Sequence, residues 1–144
     1  IHDIQGTTRV SPLEGTAVTG VPGIVTGVRS SGSRGFWIQD TAPDDDPRTG
    51  EGLFVYTGST APTVKAGDSV LVSGKVAEYY PGTGTQSLTQ ITAPRVTVLS
   101  SGNALPAPVV LDARSVPGRY VPSADGGAID ALPLDPATYA LDLY

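Results

Sequence analysis

The chain has 144 residues, a formal net charge of −5, 39% hydrophobic residues, and neither cysteine nor methionine. That length is one domain's worth of chain with room for a buried core, and the missing cysteines exclude disulfides, thiol nucleophiles and cysteine-ligated zinc. A pI near 4.6 excludes a broad basic footprint on nucleic acid, so any such contact must come from the local placement of the nine Lys and Arg residues or from a neighbouring domain.

No apolar run approaches the roughly 20 residues that cross a bilayer, so no membrane partner is expected. Ile1-His2-Asp3 does not open a signal peptide, and the chain reads as a mature or trimmed segment. Eighteen glycines and 13 prolines punctuate it too often for long helices and favour short strands joined by turns.

In chain order, residues 1–15 are a lead-in with loop chemistry at Ser11-Pro12 and Glu14-Gly15. Residues 16–30 are rich in Val, Ile and Thr and carry Gly20, Pro22-Gly23 and Gly27. They predict a long, bent and bulged strand, the kind that closes a small barrel. A turn at Ser30–Ser33 leads to a strand over 35–40. A polar loop, Thr41 to Gly50, leads to a strand over 52–57. Gly58 to Gly67 is a connector with room for a short turn of helix. Residues 68–80 alternate, with Val70, Val72, Gly74 and Val76 on one face and Leu71, Ser73 and Lys75 on the other. After a turn at Pro81–Gly84, residues 87–99 form a fifth strand region interrupted by Pro94. Five strands with a long bent first one predict an all-β chain, a five-stranded OB-type Greek-key barrel. The Pro-, Ala-, Asp- and Gly-rich remainder predicts an extended C-terminal arm with one short helix near 136–143.

Seven short stretches in this order carry a resemblance: IHDIQG (1–6), SPLEG (11–15), GFWIQD (35–40), EGLFVYTG (51–58), VKAGDSVLVSGKVAEYY (64–80), SLTQIT (87–92) and LPAPVVL (105–111). Together they resemble the OB-like accessory domain found ahead of the catalytic domain in large secreted bacterial nucleases of the endonuclease/exonuclease/phosphatase superfamily. The resemblance implies an OB fold over 1–111, an extracellular setting, and an auxiliary role in DNA or nucleotide degradation. Residues 112–144 would then be an arm or linker, with ALDLY (140–144) leading towards a downstream catalytic nuclease domain in the same protein. The catalytic motifs of those nucleases do not lie in these residues, so the chain is expected not to be an enzyme by itself.

Three groups of residues are candidates for chemistry. Side chains alternate along a strand, so one of Phe36 and Trp37 must point away from the core, and so must one of Phe54 and Tyr56 or their partners. OB barrels stack the bases of single strands on such aromatics. Trp37 and Tyr56 are the expected stacking platforms, with Arg29, Arg34 and Lys75 as phosphate contacts; the competing reading buries the tryptophan in the core or under the arm. Tyr79-Tyr80-Pro81 reads as the anchor of a turn. The second group is Asp40, Asp44, Asp45 and Asp46, followed by Thr49 and Glu51, which could hold Ca²⁺ or could be a solvated turn whose carboxylates cap local backbone. The third is His2, the single histidine. It reads as an ordinary terminal residue rather than a general base or triad member.

The leading expectation is a non-catalytic module that helps a nuclease hold single-stranded DNA, with no cofactor required. The alternatives are a structural spacer packed on the catalytic domain, and a calcium- or carbohydrate-binding module.

Overall fold

The computed structural model describes residues 1–8, 10–46, 49–83 and 87–108. Among these residues the glycine and proline punctuation resolves into one short helix, α1 (His2–Gln5), and five strands: β1 (Ala17–Arg29), β2 (Arg34–Gln39), β3 (Gly52–Gly58), β4 (Ser69–Tyr79) and β5 (Leu88–Ser100). The strands form one sheet in the order β1-β2-β3-β5-β4, and β1 pairs with β4 to close it. Among the described residues the fold is all-β apart from α1.

Closure follows from the length and irregularity of β1. Its first half, Ala17–Ile24, pairs with β4, and its second half, Ile24–Arg29, pairs with β2. The register shifts between Val18 and Val21, and again between Val25 and Gly27. Gly20, at φ 66°, supplies the left-handed residue at the first irregularity. These bulges bend the strand far enough to serve two neighbours. On the other side, β5 pairs along most of β4 but meets β3 in parallel only at Phe54–Gln90 and Val55–Ile91.

Period-2 alternation places the core. Val70, Val72 and Val76 of β4 are fully buried, while Leu71, Ser73 and Lys75 lie on the other face. Phe36 and Ile38 from β2, Leu53 and Val55 from β3, Ile91 from β5, and Val21 and Val25 from β1 join them. Each such side chain contributes about 1.5–3 kcal/mol on leaving water.

The lead-in is not all loop. Ile1 and Ile4, three residues apart, share a helical face and add to the core. Gly6, at φ 65°, ends the helix, and Gln5 Nε2 donates to the Gly52 carbonyl at 2.5 Å, fixing α1 to the start of β3.

Two further expectations change. The connector after β3 holds no helix; it starts with a turn in which the Thr57 hydroxyl donates to the Thr60 carbonyl at 2.7 Å. Pro94 does not interrupt β5. Ala93 takes φ 48° and the pairing with β4 shifts register between Ser73 and Lys75, so the irregularity is absorbed as a bulge opposite Gly74. The C-terminal arm over 112–144 and its helix near 136–143 lie outside the described residues.

Asp68 organises the entry to β4. Its carboxylate accepts from the Lys65 amide at 2.9 Å, and its carbonyl accepts from the Val25 amide at 2.8 Å. The Ser101 hydroxyl first, then the Lys65 amide, hold the carboxyl below its ordinary value of 3.8, against the opposing effect of burial. A carboxylate lowered by folding contributes stability that is full above its unfolded value and is lost as pH falls through the folded one. The urea midpoint is therefore expected to fall from pH 5 to pH 2 with a shallower slope in Asp68→Asn than in the parent. Equal slopes in the two proteins would remove Asp68 from the acid response.

Candidate functional site

The alternation that buries Phe36 turns Trp37 outward, where it is 39% exposed. Trp37 lies opposite Phe54 in the β2–β3 pairing, with ring centroids 4.9 Å apart and planes tilted by 49°. Phe54 and Tyr56 were expected on opposite faces. They are two residues apart, so they share the outer face, and Val55 between them points into the core. Phe54 is nonetheless buried, because its ring lies over Gly35, where a Cβ would stand only 2.5 Å from Phe54 Cζ.

These residues form one side of a groove of about 390 Å³. Trp37, Phe54 and Tyr56 come from β2 and β3, with Arg29 and Ser33 at the β1–β2 turn. The far side is Tyr79 and Pro81 at the end of β4 and Leu88 and Gln90 on β5. Strand pairing explains the assembly: Tyr79 sits opposite Leu88, and Gln90 opposite Phe54. Tyr79, read as a turn anchor, is half-exposed and belongs to the groove wall.

Of the five residues expected to contact nucleic acid, Trp37, Tyr56 and Arg29 come together here. Arg34 and Lys75 do not line the groove. The Arg34 guanidinium donates to the Ser30 carbonyl at 3.1 Å and to the Ser59 carbonyl, so it ties two turns together. Lys75 lines a shallow depression with Ala17, Gly74 and Arg95. Arg29 is thus the one cation among the groove-lining residues. Stacking and apolar contact dominate its chemistry, with a single charge at one end.

The four loop aspartates do not converge. Asp40 is buried; its Oδ1 accepts from the Ala42 amide at 3.0 Å and its Oδ2 from the Ile1 nitrogen at 3.4 Å. Asp44 Oδ1 accepts from the Asp46 amide at 2.8 Å and the Thr49 hydroxyl at 3.0 Å. Asp45 is exposed. Asp40 and Asp44 therefore cap their own loop, as short acidic side chains do in turns.

A different group does meet: His2, Asp40 and Glu51 bring donor atoms within 4.8 Å of one another. By sequence His2 is an ordinary terminal residue. Ile1 and Ile4 bury α1 instead and set the imidazole against the loop, with Nδ1 3.8 Å from Glu51 Oε2 and 3.9 Å from Asp44 Oδ2. Nothing local in the sequence joins residue 2 to residues 40 and 51; the signal available was the Ile1–Ile4 spacing, which predicts a buried helical turn with His2 at its start.

Comparisons with family models, curated proteins and solved structures find no match to this chain. Among the described residues, no helix is long and apolar enough to cross a membrane.

Proposed function

We propose that the closed sheet is an OB-type Greek-key barrel that binds single-stranded nucleic acid in its aromatic groove, as a non-catalytic module of a secreted nuclease of the endonuclease/exonuclease/phosphatase superfamily. The observation that carries this reading is the convergence of Trp37, Tyr56 and Tyr79 on one groove with Arg29 beside them. Bases are flat and apolar-faced, and stacking on exposed aromatics tolerates any sequence. The groove sits over β2 and β3, the face on which OB barrels hold oligonucleotides. The nuclease setting rests on the ordered motifs between IHDIQG and LPAPVVL.

The test is a fluorescence-anisotropy titration of the chain with labelled oligothymidine at low salt. Trp37→Ala is expected to weaken binding about 5- to 100-fold, the worth of one stacked base. Arg29→Gln is expected to weaken it and flatten its salt dependence, while Arg34→Gln and Lys75→Gln, which change residues outside the groove, leave it within twofold. Absence of binding at tens of micromolar, or an unchanged Trp37→Ala, would sink the proposal.

A second reading has its own observation. Val96, Val98 and Leu99 at the end of β5, and Leu105 beyond it, are exposed. An apolar surface of this kind suits packing against another domain of the same protein. It predicts an inert groove together with a docking face on β5.

A further inference from the structure

We propose that His2, Asp40 and Glu51 form a binding site for a first-row divalent cation, Zn²⁺ or Mn²⁺, which ties α1 to the loop between β2 and β3. The donor set is one imidazole and two carboxylates, a combination that suits these ions. Ca²⁺ prefers a shell of oxygens and gains little from an imidazole.

Two independent features point to an ion rather than to a solvated cluster. His2 Nδ1 and Glu51 Oε2 are each closed off from solvent, and neither has a hydrogen-bond partner. Their separation of 3.8 Å is too long for a hydrogen bond between them. Two atoms that each lie about 2.1 Å from a shared ion in a tetrahedral shell are about 3.4 Å apart, so a small inward movement of the two side chains brings them to ligand distance. A carboxylate oxygen of Asp40 completes the triangle; its Oδ1 also accepts from the Ala42 amide and its Oδ2 from the Ile1 nitrogen. Asp44 Oδ2, 3.9 Å from the same imidazole nitrogen, stands where a fourth ligand could swing in.

An imidazolium held by carboxylates is the competing account. It would place the Nδ1 proton between Glu51 and Asp44, yet both oxygens stand beyond hydrogen-bond reach of that nitrogen. Asp3 faces the other ring nitrogen at 4.0 Å from an exposed position.

The single histidine makes the test direct. Zn²⁺ is added to the whole chain at constant neutral pH, and the imidazole is followed by ¹⁵N NMR beside thermal unfolding. Zn²⁺ is expected to move the Nδ1 resonance to a metal-bound position at one equivalent. At a hundredfold excess over Kd it should raise Tm by about 5–10 °C. Glu51→Gln, which keeps an oxygen for the Asp44 amide, is expected to fold and to lose affinity at least tenfold, whereas Asp45→Asn should bind as the parent does. An Nδ1 resonance indifferent to Zn²⁺ would overturn the proposal. So would equal Zn²⁺ affinity in Glu51→Gln, or a response to Ca²⁺ alone that leaves His2 unmoved.

Discussion

Phe36→Ala is expected to lower the unfolding free energy by about 3–5 kcal/mol, the range for truncating a buried aromatic. Phe36 is the largest fully buried side chain among the described residues, and β2 carries it between Val28 of β1 and Val55 of β3. The void would open inside a closed sheet whose ladders hold the strands apart, so little collapse is available to refill it. Against a typical total of about 5–15 kcal/mol, this is a fifth or more of the stability, and the urea midpoint should fall in proportion. Urea denaturation followed by the fluorescence of Trp37, the single tryptophan, measures this. Phe36→Leu should recover more than half of the loss. A parent-like midpoint for Phe36→Ala would mean that the interior is looser than its burial implies.

Gly35→Ala is expected to cost about 2–4 kcal/mol, although it adds only one carbon. The new Cβ would collide with the Val55 carbonyl oxygen on the neighbouring strand and stand 2.5 and 2.9 Å from Phe54 Cζ and Cε2. The ring could swing aside, but the carbonyl belongs to the β2–β3 ladder and cannot move without loosening it. Phe54→Ala should therefore fail to rescue the variant. Moving the Phe54 ring also disturbs its contact with Trp37, so the emission of the tryptophan is expected to shift towards red even in the fraction that stays folded. Stability and emission matching the parent would show that the ladder yields more easily than backbone packing suggests.

Residue 35 also illustrates what the sequence could and could not say. The five strands were legible because alternation and breakers are local: Val70, Val72 and Val76 announce a buried face, and Gly20 and Gly27 announce a bent first strand. That one of Phe36 and Trp37 faces outward was legible from their adjacency; that it is Trp37 was not. The shared face of Phe54 and Tyr56 was equally available from their spacing of two. That Gly35 is required, and that Tyr79, Leu88 and Gln90 join the groove, depended on strand register and on β5 crossing to β3, which no local pattern encodes. The helix α1 is a single turn, and the one pair of apolar residues that marks it, Ile1 and Ile4, is a weak signal beside the loop chemistry that follows. The position of His2 depends on that turn. The acidic group read from the sequence already held Asp40 and Glu51 beside Asp44, Asp45 and Asp46; what the sequence did not show is that His2 meets the two carboxylates at the ends of that loop.

The parallel join between β3 and β5, held at Phe54–Gln90 and Val55–Ile91, is the shortest seam in the sheet. Breathing motions of a closed sheet begin where the fewest hydrogen bonds must break together, so the cylinder would unzip here first. The groove straddles this same seam, with Trp37 and Tyr56 on one bank and Tyr79 and Leu88 on the other. A strand of bases lying across it would act as a suture, so part of the binding free energy would go into suppressing that opening. Occupancy would then be communicated to the rest of the sheet as rigidity, without any change of shape.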